Sequence, residues 1–193
     1  MKRFHFILLI MFPAVAAAQG GFKEGYLVDR SGIRYEGMLK FEPGTDTQAG
    51  QLIFKESKKG KKEVYGTNYV RSFKIEADSF AVVTNLVLGR QKTKTEDFAK
   101  VVLVGTGGVL YSLEYKVEKS SGHATTEYKD IVENTKYFLL ANGKLTPLTA
   151  GNFTALAPVV SDCPALKKGI AGKKRRYADL VRIIEEYRSC KTQ

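Results

Sequence analysis

From Gly25 to about Leu148, apolar and polar residues alternate with period two, and the alternation breaks at glycine-rich or polar turns. That is how the strands of an antiparallel sheet read. Two stretches carry the pattern most plainly. Ile33, Tyr35, Gly37, Leu39 and Phe41 alternate with Arg34, Glu36, Met38 and Lys40; Val109, Tyr111, Leu113, Tyr115 and Val117 alternate with Leu110, Ser112, Glu114 and Lys116. Each stretch is expected to put one face into a core. Turns are expected at Asp29-Arg30-Ser31-Gly32, from Ser57 to Lys61, and at Gly105-Thr106-Gly107-Gly108. Asn142-Gly143 is the strongest of them, because that dipeptide supplies the positive φ angles of a tight type I′ hairpin. Roughly eight to ten short strands at such spacing predict a mainly β, α+β protein, either an antiparallel barrel or a strongly curved sandwich.

After Pro147 the period changes to that of helices. Asn152 is expected to cap a short helix through Phe153, Leu156 and Val160, and Pro164 suits a first helical position after Asp162 or Cys163. Tyr177, Leu180, Ile183, Ile184 and Tyr187 form one apolar stripe of a last helix. The expected organisation is therefore a signal peptide over residues 1–18, an antiparallel β-domain over 19–148, and a helical tail over 149–193. A tail of that length is too short for its own core, so its stripe is expected to pack on the β-domain.

Lys2 and Arg3, the apolar run Phe4 to Phe12, and the small residues Ala16-Ala17-Ala18 are the three zones of a secretory signal peptide. The run falls short of the roughly 20 residues of a spanning helix, and no later stretch crosses a bilayer. This predicts a chain exported to the periplasm or beyond the cell. Export changes the reading of the only two cysteines, Cys163 and Cys190. In an oxidising compartment they should pair, and a bond closing that segment would constrain the unfolded chain by roughly 3.6 kcal/mol. Without a C-x-x-C motif, and with His123 the only histidine after cleavage, a zinc or redox centre has little support.

The chain has 193 residues, 44% hydrophobic and 26% charged, which excludes disorder, collagen and coiled coil. Its net charge of +11 is more informative. Lys55, Lys58, Lys59, Lys61 and Lys62 cluster at one expected hairpin, and Lys167, Lys168, Lys173, Lys174, Arg175 and Arg176 near the start of the last helix. These residues account for the whole imbalance. Surface clusters of this kind ordinarily aid solubility. At a helix start, however, cations oppose the macrodipole. Contact with an anionic lipid, a glycan or an acidic protein would explain why the run is kept, with Lys58, Lys59, Lys61, Lys62, Lys173, Lys174, Arg175 and Arg176 as the candidate contact residues.

Catalytic and cofactor chemistry finds no motif. His123 has no nucleophile or carboxylate placed beside it, and Gly105 to Gly108 lacks the Gly-Lys-Ser/Thr of a phosphate loop. Glu96-Asp97, Glu114, Glu127 and Asp130 show no spacing for paired acid/base work or for a calcium loop. Asn152-Phe153-Thr154 fits a glycosylation acceptor, which a helix cap explains more simply. Basic residues beside Tyr65, Tyr69 and Phe73 could mimic a platform for single-stranded nucleic acid, but the compartment argues against that partner.

Gly25-Tyr26-Leu27-Val28 through Gly32-Ile33-Arg34-Tyr35-Glu36-Gly37, Tyr65 to Phe73, and Asp162-Cys163-Pro164 to Tyr187-Arg188-Ser189-Cys190 together resemble a group of exported proteins of Bacteroidota-type bacteria. Ser31-Gly32-Ile33-Arg34-Tyr35 stands here where Gly-Asp-Thr-Ile is usual in that group. The resemblance implies an envelope or secreted protein and no particular activity. The resulting expectation is a non-enzymatic envelope interaction module with a basic face and no cofactor; the alternative is a small barrel that carries an apolar ligand.

Overall fold

The computed structural model describes residues 21–89, 92–121 and 128–191. The expected signal peptide and His123 lie outside them. The strands are β1 (Lys23–Asp29), β2 (Arg34–Glu42), β3 (Gln51–Lys55), β4 (Glu63–Tyr65), β5 (Val70–Ile75), β6 (Asp78–Val87), β7 (Thr93–Gly105), β8 (Gly108–Ser121), β9 (Tyr128–Ala141) and β10 (Lys144–Pro147). They form one antiparallel sheet in the order β10-β9-β8-β7-β6-β5-β1-β2-β3-β4. The fold is mainly β, a strongly curved sheet with a short helical tail. The sheet is not closed, so of the two architectures the pattern allowed, the barrel is not formed.

Its curvature makes two rolls. In the first, Gly66–Tyr69 turns β4 back toward β5, and the Tyr69 carbonyl accepts a hydrogen bond from the Arg30 amide at 2.9 Å. Leu27, Leu39, Leu52, Phe54, Val70 and Phe73 fill this roll together with Phe98 of β7. Phe73 stacks on Phe80 with ring centres 4.5 Å apart, and Phe41 and Phe98 close around them. These rings fill the interior of the first roll. In the second roll β10 lies against β6 without pairing to it, over a core of Val83, Leu86, Ala99, Tyr111, Leu113 and Phe138.

The connection from β2 to β3 ties the rolls together. It crosses to β8, where the Lys116 amide donates to the Gly44 carbonyl at 2.8 Å and the Asp46 amide donates to the Lys116 carbonyl at 3.0 Å. It also reaches β7, where the Gly50 amide donates to Asp97 Oδ1 at 2.8 Å. Lys92 forms an ion pair with Asp46 beside this crossing.

Ile33 and Tyr35 are exposed (55% and 38%) although they share a face with buried Leu39. The pairing of β3 with β2 begins only at Met38, so the first half of β2 projects past its neighbour. In β8, Leu110 is as buried as Tyr111 and Leu113. The sheet face opposite the roll is covered there by the tail, whose core joins Leu103, Leu110 and Leu139 to Leu156, Val159, Val160, Leu166, Ile170, Leu180 and Ile183. The turns fall as expected, with φ of +51° at Asn142 and +72° at Gly143.

Close approach at the β7–β8 hairpin seats the tail. A Cβ on Gly105 would stand 1.7 Å from the Val159 carbonyl oxygen, and one on Gly107 would stand 2.5 Å from Pro158. Glycine is required here by contact with another segment. The Thr106 and Ser161 hydroxyls bond across the same junction at 2.6 Å. No helix of the described residues is long and apolar enough to cross a membrane.

Candidate functional site: a cationic cleft in the tail

The tail begins with a 3-10 turn, Ala150–Leu156. Asn152 does not cap it as expected. Thr149 is the cap residue, and Asn152 Oδ1 reaches back to accept from the Thr149 amide at 2.7 Å and its hydroxyl at 2.9 Å. Asn152 Nδ2 also donates to the Pro147 carbonyl at 2.9 Å. This arrangement pins the turn to the end of β10 and sets Phe153 inward.

Helix α1 (Pro164–Ala171) follows, with proline in its first turn. It ends where Lys173 takes a left-handed φ of +56°, a conformation commonly given to glycine at helix ends. The Lys173 amide donates to the Ile170 carbonyl at 3.1 Å, and the amides of Lys174 and Arg175 donate to that of Gly169 at 2.9 and 3.1 Å. The basic run therefore closes α1, and α2 (Leu180–Lys191) begins only after a 3-10 turn, Tyr177–Asp179. The run thus lies both at the carboxyl end of α1, where cations are electrostatically favourable, and at the expected start of the last helical segment, where Arg176 is the cap residue. There Asp179 offsets the opposed dipole by accepting from the Arg176 amide at 2.9 Å.

Cys163 and Cys190 are disulfide-bonded. The bond joins the residue before α1 to the last turn of α2, so it brackets the whole basic segment. Beside it Lys191 pairs with Asp162, and the Tyr187 hydroxyl donates to the Val104 carbonyl at 2.9 Å while lying 3.1 Å from Asp162. The lysine and the hydroxyl hold the Asp162 carboxyl below its ordinary range. Burial, then the neighbouring carboxylate, push the Tyr187 hydroxyl up. The Tyr177–Tyr187 stripe packs as expected, with Leu180, Ile183, Ile184 and Tyr187 buried and Tyr177 half-buried.

Where the end of α1 meets the first turn of the tail, a cleft of about 440 Å³ opens, lined by Phe153, Thr154, Lys173, Arg175, Arg176 and Tyr177. Phe153 and Tyr177 meet edge to face at 6.1 Å and form an apolar wall. Arg175 is half-buried and bonded to Glu186 at 2.8 Å. Glu186 is also 3.5 Å from Arg182, which in turn reaches Asp179 at 3.3 Å. These four charges balance among themselves. Lys173 and Arg176 are exposed, and among the described residues no ion pair reaches either. Lys174, adjacent and exposed, is not part of the lining.

The other basic cluster does not join this one. Lys58, Lys59, Lys61 and Lys62 lie exposed around the β3–β4 hairpin, at the sheet edge, and β6, β5, β1 and β2 stand between β7 and β3. Lys58 shares a shallow hollow with Glu24, Glu36 and Glu56, so that hollow carries both signs of charge. Lys55 and Lys62 stand over the Phe22 ring at 4.4 and 5.8 Å, ordinary cation–π contacts.

Other candidates are accounted for structurally. Phe73 is buried in the first roll, whereas Tyr65 and Tyr69 stack on each other at 4.6 Å with Tyr69 exposed. Glu96 pairs with Arg30 at 2.9 Å and Asp97 with Lys94. Phe153, Thr154 and Tyr177 are the site residues that sequence reasoning missed. Phe153 and Tyr177 read only as apolar positions, and nothing in the spacing says that a turn at 150–156 folds against residues 173–177. Comparison of the chain with protein-family models, with curated proteins and with solved structures gives no match, so a functional reading rests on this geometry.

Proposed function

We propose that this chain is a non-enzymatic interaction module of the bacterial envelope whose basic tail engages an anionic surface or partner. The observation that carries the reading is the cleft of the tail, where Lys173 and Arg176 stand beside Arg175 and, among the described residues, no ion pair reaches the side chain of either. Anions are drawn to such a place because its charges are already fixed by the fold and remain uncompensated. Export belongs to the same proposal. The amino-terminal pattern of residues 1–18, the resemblance to exported proteins of Bacteroidota-type bacteria, and the Cys163–Cys190 bond support it, since such bonds persist in oxidising compartments.

The test is retention of the oxidised chain on vesicles containing phosphatidylglycerol. Binding should fall with added salt and should be lost when Lys173, Lys174, Arg175 and Arg176 are all replaced by Gln. Equal retention of the wild-type and substituted chains would overturn the reading.

A further inference from the structure

We infer that the tail cleft is a site for a phosphomonoester carried on a body of about sugar size. The inference rests on the proposed anion-binding role of the tail and names the chemistry of its ligand.

Charge is the first argument. The network Arg175–Glu186–Arg182–Asp179 is internally balanced, which leaves Lys173 and Arg176 as two uncompensated cations on one cleft. A carboxylate or a sulfate ester offers one negative charge, whereas a phosphomonoester carries about −1.5 to −2 near neutral pH. The dianion matches the pair. Donor chemistry is the second. A guanidinium and an ammonium supply charge-assisted hydrogen bonds to several oxygens of one group, and Arg matches the geometry of phosphate better than any other side chain. Thr154 is also in the lining, and its hydroxyl is a neutral donor of the kind phosphate oxygens accept from.

Size is the third argument. The cleft of about 440 Å³ is larger than a phosphate alone requires and lies in the range of pockets that hold whole small molecules. Its wall includes the half-buried ring of Tyr177, held edge to face against buried Phe153, and an exposed part of an aromatic ring suits the C–H face of a sugar. Gly151 at the rim places no side chain over it. Free sugar phosphates and phosphorylated headgroups share this chemistry.

Calorimetric titration of the oxidised chain with glucose 6-phosphate, glucose 6-sulfate and glucose tests the inference. Glucose 6-phosphate should bind at least about 10-fold more tightly than the sulfate, and glucose should give no heat. Lys173→Gln with Arg176→Gln should weaken the phosphate by about 10-fold or more, with thermal midpoint and non-reduced mass showing that the variant is folded and oxidised. Lys58→Gln with Lys59→Gln removes the same charge elsewhere and should leave binding unchanged. Equal affinity for phosphate and sulfate, no binding at millimolar glucose 6-phosphate, or equal losses in the two double variants would overturn the inference. Retention on phosphatidylglycerol vesicles without glucose 6-phosphate binding would overturn it while leaving the proposed function standing. Glucose 6-phosphate binding without vesicle retention would uphold it and exclude a membrane surface as the partner. Where it holds, tighter retention on phosphatidic acid than on phosphatidylglycerol vesicles assigns the phosphate to a lipid headgroup, and equal retention assigns it to a soluble ligand.

Discussion

Lys94 and Asp97, both on β7, form an ion pair in which neither side chain is more than 2% exposed. The Asp97 carboxylate also accepts from the amides of Gly50 and Phe98 at 2.8 and 2.7 Å, so the pair anchors the β2–β3 connection where the two rolls meet. Removing one partner leaves the other charge buried and alone. Asp97→Ala is therefore expected to cost about 3 to 5 kcal/mol, read from urea unfolding midpoints. Lys94→Met combined with Asp97→Asn should cost clearly less than the sum of the two single changes, because the Asn oxygen still accepts from both amides. Additive losses would show that the charges are not coupled.

The contact between Gly105 and Val159 makes a second expectation. A Cβ at Gly105 meets the Val159 carbonyl at 1.7 Å, and a backbone atom cannot rotate out of the way as a side chain can. Gly105→Ala should destabilise the protein by about 1 to 3 kcal/mol and loosen the tail from β7, exposing its start to proteolysis. Gly32→Ala meets no atom within 4 Å but sits at φ +88°, so its strain is local to the β1–β2 turn and should leave the cleavage of the tail unchanged. Identical protease resistance in wild type and Gly105→Ala would refute the seating role.

The contrast between these glycines shows what the chain discloses before folding and what it withholds. Asn142-Gly143 was legible as a turn because its information is local, a backbone demand for positive φ. The curved sheet was legible for a similar reason, since period-two alternation is imposed by each strand's own geometry. Leu110, Lys94 and Asp97 were not legible as buried. What covers them, the tail in one case and the Pro43–Gly50 connection in the other, arrives from far along the chain. The tail's basic run is visible in the sequence at the start of the last helical segment, but that it also closes α1 is not. Lys173 ends α1 in a left-handed conformation without the glycine that would have marked the break. The cleft needed both that break and the fold of Phe153 against Tyr177, and neither has a signature in residue spacing.

The Cys163–Cys190 bond closes a segment of 27 in sequence separation that contains Lys173, Arg175, Arg176 and Tyr177 but not Phe153 or Thr154. Its loss frees the unfolded chain by about 3.6 kcal/mol on the loop-entropy relation. Cys163→Ser with Cys190→Ser should accordingly lower the thermal midpoint by about 10 °C. The tail should still fold, because Leu166, Ile170, Leu180 and Ile183 remain buried against the sheet. Calorimetry of the variant and of the reduced wild type should agree; an unchanged midpoint in both would mean that the apolar core alone fixes the tail.

The junction beside that bond should respond to acid in one direction only. Lys191, then Tyr187, hold the Asp162 carboxyl below its ordinary range, so in the folded protein it takes up its proton at lower pH than in the unfolded chain. The stabilisation is fully present above the unfolded carboxyl value near about 4 and is lost as pH falls through the lower folded value. Carboxyl-carbon NMR should therefore show Asp162 titrating below that value, and Lys191→Met should move its midpoint upward. Tyr187→Phe should move it upward by less, because only the weaker hydroxyl contact is removed. A midpoint that Lys191→Met leaves in place would mean that the ion pair does not hold the end of α2 to the start of α1.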